Sequence, residues 1–215
     1  MKKAIIFDLD GTLLNTILDL GEACNVALSY YGYPTHSLDR YPHLVGNGVN
    51  KLIERALPAE FRNEKTILQL REVFISYYND HKCVHTHPYK GIEATIQALK
   101  NKGYGLAVAS NKYNTATQTL VTHYFGDLFD IVYGEREGVE RKPNPQIVYD
   151  IMKELGVRAD EVLYVGDSDV DMQTARNAGT EAVGCTWGFC SRDILTKENP
   201  KYLIDHPEQL LDIIH

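Results

Sequence analysis

Phe7-Asp8-Leu9-Asp10-Gly11-Thr12-Leu13-Leu14-Asn15-Thr16 is the stretch on which the reading of this chain turns. In front of it, Lys2–Phe7 carries Ala4, Ile5, Ile6 and Phe7 in succession. A short, continuously apolar run of this kind predicts a strand buried on both faces. It stops at Asp8, so an acidic loop follows the strand at once. The pattern returns further along. Gly105–Ala109 predicts a strand that ends at Ser110-Asn111, and Val162–Val165 predicts one that runs into Gly166-Asp167-Ser168-Asp169-Val170-Asp171.

Helical patterns separate these strands. Ile92–Lys102, Thr115–Tyr124 and Asp169–Asn177 space their apolar residues helically, as do Ile147, Val148, Ile151, Met152 and Leu155 after Asn144-Pro145. Ile131–Tyr133 predicts a short strand, Glu181–Val183 the last one, and Asp205-His206-Pro207 the start of a C-terminal helix. Strand–helix alternation predicts an α/β fold, a parallel sheet with helices on both faces. Residues 15–87 differ: apolar residues recur at helical spacing from Leu18 to Phe74, broken at Tyr33-Pro34, Tyr41-Pro42 and Leu57-Pro58. The expected organisation is a core of residues 1–14 and 88–215 with an inserted all-helical domain, 15–87.

Composition narrows the functions. The 215 residues are 44% hydrophobic and 24% charged, which suits a packed globular chain. The net charge of −7 has the wrong sign for nucleic acid or acidic lipid, so neither is expected as a partner. No apolar run reaches the ~18 residues of a membrane span. Met1-Lys2-Lys3 is followed by too short an apolar run for an export signal, and Cys24, Cys83, Cys185 and Cys190 form no CxxC pair. Reduced thiols and a cytoplasmic location are expected.

In a parallel sheet, ligands bind beyond the carboxyl ends of the strands. Asp8 and Asp10, Ser110 and Asn111, and Asp167 and Asp171 are therefore expected on one rim. Like charges that close need a cation, and an all-oxygen donor set favours Mg²⁺. Lys142, held extended by Pro143, adds a positive charge. Magnesium, a lysine, a hydroxyl and backbone donors together suit a phosphoryl group. Asp8 can then attack phosphorus, while Asp10, two positions on, serves as acid and base. Thr12 is expected to anchor the turn or a phosphoryl oxygen, and Asn111 to hold an anionic oxygen. Taken singly, a DxD, a Ser-Asn or a lone lysine is an ordinary turn, cap or surface feature. Their order after successive strands gives them weight.

These motifs resemble the haloacid dehalogenase superfamily of phosphohydrolases, and within it phosphoglycolate-phosphatase-type members. Phe7 to Thr16 is similar to the first motif, with nucleophile Asp8 and acid/base Asp10. Ser110-Asn111-Lys112 is similar to the second, Ser110 being the phosphate-binding position. Arg141-Lys142-Pro143 is similar to the third and Gly166 to Asp171 to the fourth, which carries acidic metal residues. The resemblance spans essentially the whole chain. It implies a Rossmann-like core, a helical cap inserted after the first strand, and Mg²⁺ on Asp8, the Asp10 carbonyl, Asp167 and Asp171. The expected function is hydrolysis of a small phosphorylated metabolite. Asp10 favours phosphate-ester chemistry over dehalogenation. A sugar phosphomutase remains the alternative. A receiver-type signalling domain is shorter and places its acceptor after a middle strand.

Substrate choice falls to the insert. Val45-Gly46-Asn47-Gly48, ahead of a helix, can offer backbone N–H groups to a carboxylate, and Lys51 and Arg55 share one helical face. Gly46, Asn47, Gly48 and Lys51 are the expected substrate contacts there, with Arg40 and His43 as weaker candidates. An ordinary helix start with a solvated basic face is the competing reading. His81, Cys83, His85 and His87 alternate, which suits hinge polarity better than a metal site. Cys185 to Cys190, with Trp187 and Phe189, is expected to border the pocket. The chain is expected to be a monomer or homodimer.

Overall fold

The structure is a computed structural model that describes residues 1–214. The chain divides into two compact units, Met1–Leu14 with Pro88–His215, and Asn15–His87. Its main elements begin with β1 (Ala4–Phe7), α1 (Ile17–Tyr30), α2 (Val49–Ala56), α3 (Glu64–His81) and α4 (Ile92–Asn101). Next come β2 (Gly105–Tyr113), α5 (Asn114–Phe125), β3 (Ile131–Glu135), α6 (Gln146–Leu155) and β4 (Val162–Gly166). The chain continues through α7 (Asp169–Ala178), β5 (Glu181–Cys185), α8 (Arg192–Lys197), β6 (Tyr202–Ile204) and α9 (Leu210–Ile213).

The first unit is built on a six-stranded sheet of order β3-β2-β1-β4-β5-β6. Every neighbouring pair is parallel. Period-two geometry sends alternate side chains of β1 to opposite faces. Ile5 and Phe7 pack with Ile92, Ile96 and Leu99 of α4 and Leu120 and Phe125 of α5. Ala4 and Ile6 pack with Ile147, Val148 and Ile151 of α6 and Ala175 of α7. Both faces are covered, which is why no polar residue interrupts β1. This is the α/β, Rossmann-like parallel sheet that the strand–helix alternation and the resemblance called for.

Two strands and helix α8, which the sequence reading does not contain, depart from expectation. The sequence predicts no strand beyond Glu181–Val183, yet β6 adds a parallel edge strand, with Val183 opposite Tyr202 and Cys185 opposite Ile204. Three residues of which only Ile204 is buried are too few for periodicity to register. β2 also outruns its expected end at Ala109. It continues to Tyr113 with a shift of register against β3 between Ala109 and Tyr113. A bulge of this kind re-aims side chains near a site.

The second unit is mainly helical. α3 packs against α1 and α2, burying Leu20, Ala23, Leu28, Leu52, Ile53, Leu70 and Phe74. Asn63 caps α3 by accepting the Thr66 N–H at 3.0 Å. Asp19 of α1 is 1% exposed. Its carboxylate accepts the backbone N–H of His85 at 2.9 Å, that of Thr86 at 2.9 Å and the Thr86 hydroxyl at 2.7 Å. Among the described residues no helix is long and apolar enough to cross a membrane.

Candidate active site

Because β1, β2 and β4 are parallel neighbours, the residues that follow them share one rim of the sheet. Asp8 sits just past β1, Ser110 to Lys112 lie on the bulged end of β2, and Asp167 follows β4. Asp8, Asp167 and Asp171 bring carboxylate oxygens within 4.8 Å of one another. Lys142 reaches into this cluster. Its ammonium donates to Asp8 Oδ1 and Asp171 Oδ1 at 2.8 Å each, to the Ala109 carbonyl at 2.9 Å and to the Tyr164 hydroxyl at 3.0 Å. All four charged side chains are buried.

Three carboxylates against one ammonium leave negative charge with little water to screen it. Burial, reinforced by Asp171, pushes the Asp8 carboxyl up to about 7 even though Lys142 pulls it down. Burial and the charges of Asp171 and Asp8 hold Asp167 well above the usual carboxylate range. Lys142 is held above its usual range by Asp171 and Asp8, against the effect of burial.

Asp167 is locked from two directions. Thr12 Oγ1 donates to its Oδ1 at 3.1 Å, and the Phe189 backbone N–H donates to Oδ2 at 2.7 Å. Gly11 and Gly188 make room for it: a Cβ on either would stand 2.3 Å and 2.2 Å from Asp167 atoms. The Trp187 indole N–H donates to the Thr12 carbonyl at 3.0 Å. The Trp187–Phe189 turn thus borders the acidic cluster, in keeping with the reading of that segment as pocket wall. Asp171 belongs to the first turn of α7, where Ser168 and Asp171 form a reciprocal cap. The Ser168 hydroxyl donates to Asp171 Oδ2 at 2.5 Å and accepts the Asp171 N–H at 3.2 Å.

Other expected residues take more specific places. Asn111, expected at an anionic oxygen, uses both ends of its amide on the Lys142 backbone. It donates to the Lys142 carbonyl at 3.0 Å and accepts the Lys142 N–H at 2.8 Å. Ser110 is buried, and its Oγ accepts the Lys112 N–H at 3.2 Å. Asp10 is gripped by Lys112, whose ammonium lies 3.0 Å from each carboxylate oxygen. Three contributors escaped the sequence reading: the Lys112 side chain, the Tyr164 hydroxyl and the Phe189 N–H. Lys112 belongs to the Ser110-Asn111-Lys112 motif, and its i+2 spacing from Ser110 is the signal that places it on the same side of the chain.

In the helical unit, Gly46, Asn47 and Gly48 all adopt positive φ, at 111°, 63° and 83°. Asn47 is tolerated there because its short polar side chain suits the left-handed region. This loop enters α2. Arg55 closes it from behind, donating to the carbonyls of Leu44, Val45 and Gly46 at 3.0, 3.1 and 3.2 Å. Lys51 pairs with Glu54 at 2.6 Å on the surface. His81, Cys83, His85 and His87 do not assemble into a ligand set. His81 stacks on Tyr77 at the end of α3, with ring centroids 3.9 Å apart, and Cys83 is exposed.

The acidic cluster suits a metal ion. Its donors are all carboxylate oxygens, the donor type that hard divalent cations select. A doubly positive ion would match the charge that Lys142 leaves uncompensated. Asp19, Glu22 and His85 also lie close together, but Asp19 already accepts hydrogen bonds from His85 and Thr86.

Known proteins match this chain over nearly its whole length. The family described as haloacid dehalogenase-like hydrolase matches residues 5–185. The phosphoglycolate phosphatase of Aquifex aeolicus is 32% identical over 99% of this chain and 96% of its own. That of Haemophilus influenzae strain 86-028NP is 34% identical over 99% and 98%. Among solved structures, a predicted phosphoglycolate phosphatase from Haemophilus somnus 129PT superposes with a TM-score of 0.92, at 31% identity over 100% of this chain and 98% of its own. A crystal structure from Lactobacillus delbrueckii subsp. bulgaricus gives 0.93 at 35% identity over 100% and 99%.

Proposed function

The chain belongs to the haloacid dehalogenase-like hydrolase family, and on that premise we propose that it is a Mg²⁺-dependent phosphatase of small phosphate monoesters, phosphoglycolate foremost. The observation that carries this reading is the buried convergence of Asp8, Asp167 and Asp171 on the ammonium of Lys142. The names of the full-length relatives favour phosphoglycolate.

Asp8, the Asp10 carbonyl, Asp167 and Asp171 would hold the ion. When bound it neutralises the carboxylates and draws charge from the phosphoryl oxygens. The chain's own residues supply the rest. Lys142 holds Asp8 Oδ1, which leaves Oδ2 to attack phosphorus. The Asp8–phosphorus bond forms as the ester P–O bond breaks, and the Asp10 carboxyl gives its proton to the departing alkoxide. Water then attacks the aspartyl phosphate and Asp10 takes a proton from it. The P–O bond to Asp8 breaks, and free phosphate and the Asp8 carboxylate are restored. Ser110 and Lys142 grip the phosphoryl oxygens. Thr12 holds Asp167 in line, and Asn111 positions the Lys142 backbone from which the ammonium reaches.

Residues 15–87 are read as the cap domain and residues 1–14 with 88–215 as the catalytic core. The cap reads the part of the substrate beyond phosphorus. Gly46, Asn47 and Gly48 would offer backbone donors to a carboxylate, and Lys51 a charge.

The test is a screen of the purified protein with Mg²⁺ across phosphoglycolate, sugar phosphates, nucleoside monophosphates and pyrophosphate. Phosphate release led by phosphoglycolate is the expected result. Bulky sugar phosphates far ahead would overturn the substrate assignment. Isomerised sugar phosphate without release would turn the reading to a phosphomutase.

A further inference from the structure

Lys112 stands apart from the rest of the machinery. It is 8% exposed, and the shift of register between Ala109 and Tyr113 lies around it. Its ammonium sits 3.0 Å from Oδ1 and 3.0 Å from Oδ2 of Asp10. Its backbone N–H donates to Ser110 Oγ at 3.2 Å. One residue thus touches both the group assigned to proton transfer and the hydroxyl assigned to the phosphoryl oxygens.

The anchoring of Lys112 supports a fixed position. Its carbonyl accepts the Thr117 hydroxyl at 3.2 Å, and a Cβ on Gly134 would stand 2.4 Å from that oxygen. The backbone that carries the ammonium is therefore wedged between β3 and α5. A lysine held this way is a stiff arm, whereas a surface lysine samples many rotamers. The cost of burying its charge is offset by an ion pair that is itself mostly shielded from water, the Asp10 side chain being 18% exposed.

We propose that Lys112 is a positioning residue for Asp10: by holding both carboxylate oxygens it fixes the plane and reach of the group that must meet the leaving oxygen. Asp10 lies in the turn that follows β1, bridged to Leu14, and the proton it transfers must travel along a short, aligned hydrogen bond. A displacement of about 1 Å in such a group costs on the order of 100-fold in rate. This inference rests on the assignment of Asp10 to proton transfer.

A leaving-group series reads it out. kcat/KM reports the steps through departure of the alkoxide. A nitrophenoxide departs without a proton, while an alkoxide needs one. Lys112→Met is therefore expected to lose about 100-fold in kcat/KM on alkyl phosphates and less than about 5-fold on 4-nitrophenyl phosphate. Lys112→Arg, which keeps a cation able to donate to both carboxylate oxygens, is expected to stay within about 10-fold of the parent on both. In an Asp10→Asn background, Lys112→Met is expected to add no more than about 2-fold, because the coupling partner is already gone.

An equal loss across all leaving groups, or full additivity with Asp10→Asn, would overturn the positioning role. If Lys112→Met does not fold, Lys112→Gln takes its place: a leaving-group slope steeper than the parent's supports the role, and an unchanged slope sinks it. A parent protein that hydrolyses none of these esters defeats the phosphatase reading itself, a distinct outcome from a parent that works and a Lys112 variant with an unchanged slope.

Discussion

Two buried acidic places in this molecule behave oppositely in the structure. In the helical unit, Asp19 is almost fully buried and satisfied by two backbone N–H groups and a hydroxyl from His85 and Thr86. At the rim of the sheet, Asp8, Asp167 and Asp171 crowd together and divide a single ammonium between two of them. A carboxylate met by neutral donors is a fastener. Carboxylates that repel one another in a dry site store a demand for a cation, and that demand is what chemistry uses.

The sharpest way to break the contrast is Asp8→Asn. Phosphatase activity is expected to fall by at least about 10⁴-fold, while the melting temperature holds or rises because one repelling charge is gone. Normal hydrolysis of an aryl phosphate by this variant would refute the nucleophile assignment.

Second comes the pH dependence of stability without metal. Folded Asp8 keeps its proton up to about 7, while the unfolded chain releases it near 3.8. Between those values the unfolded state binds fewer protons, so stability falls as pH rises and levels off above about 7. The interval corresponds to roughly 4 kcal/mol from this group if it acted alone. In EDTA, melting temperatures are expected to be lower at pH 8 than at pH 5. Added Mg²⁺ is expected to raise the value at pH 8 far more than at pH 5. No gain at pH 8 would show that the cluster does not take the ion.

Asp19→Ala tests the other side. Three donors would lose their acceptor in a buried place, a loss of about 3 kcal/mol, and denaturant unfolding would measure it. No metal dependence of that loss is expected, in contrast to the rim.

Smallest is Lys51→Ala. Its exposed pair with Glu54 is worth about 0.5 kcal/mol or less, so unfolding should barely move. KM for phosphoglycolate is expected to rise about 10-fold, as loss of a charge-assisted contact predicts. An unchanged KM would return Lys51 to ordinary surface.

The sequence made the rim readable because each acidic or hydroxyl group stands directly after an apolar run, and parallel strands bring such points together. The same local logic marked the turn before α2 and the helical character of the insert. It did not reveal β6, whose three residues carry no period. Nor could it reveal that Asn111 serves the backbone of a residue 31 positions away, or that Phe189 and Lys112 close on Asp167 and Asp10. Those partnerships are settled by the tertiary path of the chain. Tyr164 is a further case. Its place in an apolar strand suggests packing, and only the fold puts its hydroxyl against Lys142.

The position of β1 in the sheet has a consequence for the birth of the protein. Ala4 lies between Gly105 and Val162, so the strand that leads into Asp8 leaves the ribosome before its neighbours and must wait for partners made roughly 100 and 160 residues later. Closing such distant pairings is slow. The helices of residues 15–87 have their partners close by in sequence and can settle while synthesis continues. A chain cut short before Val162 would therefore carry every residue of its first acidic motif and still have no working centre.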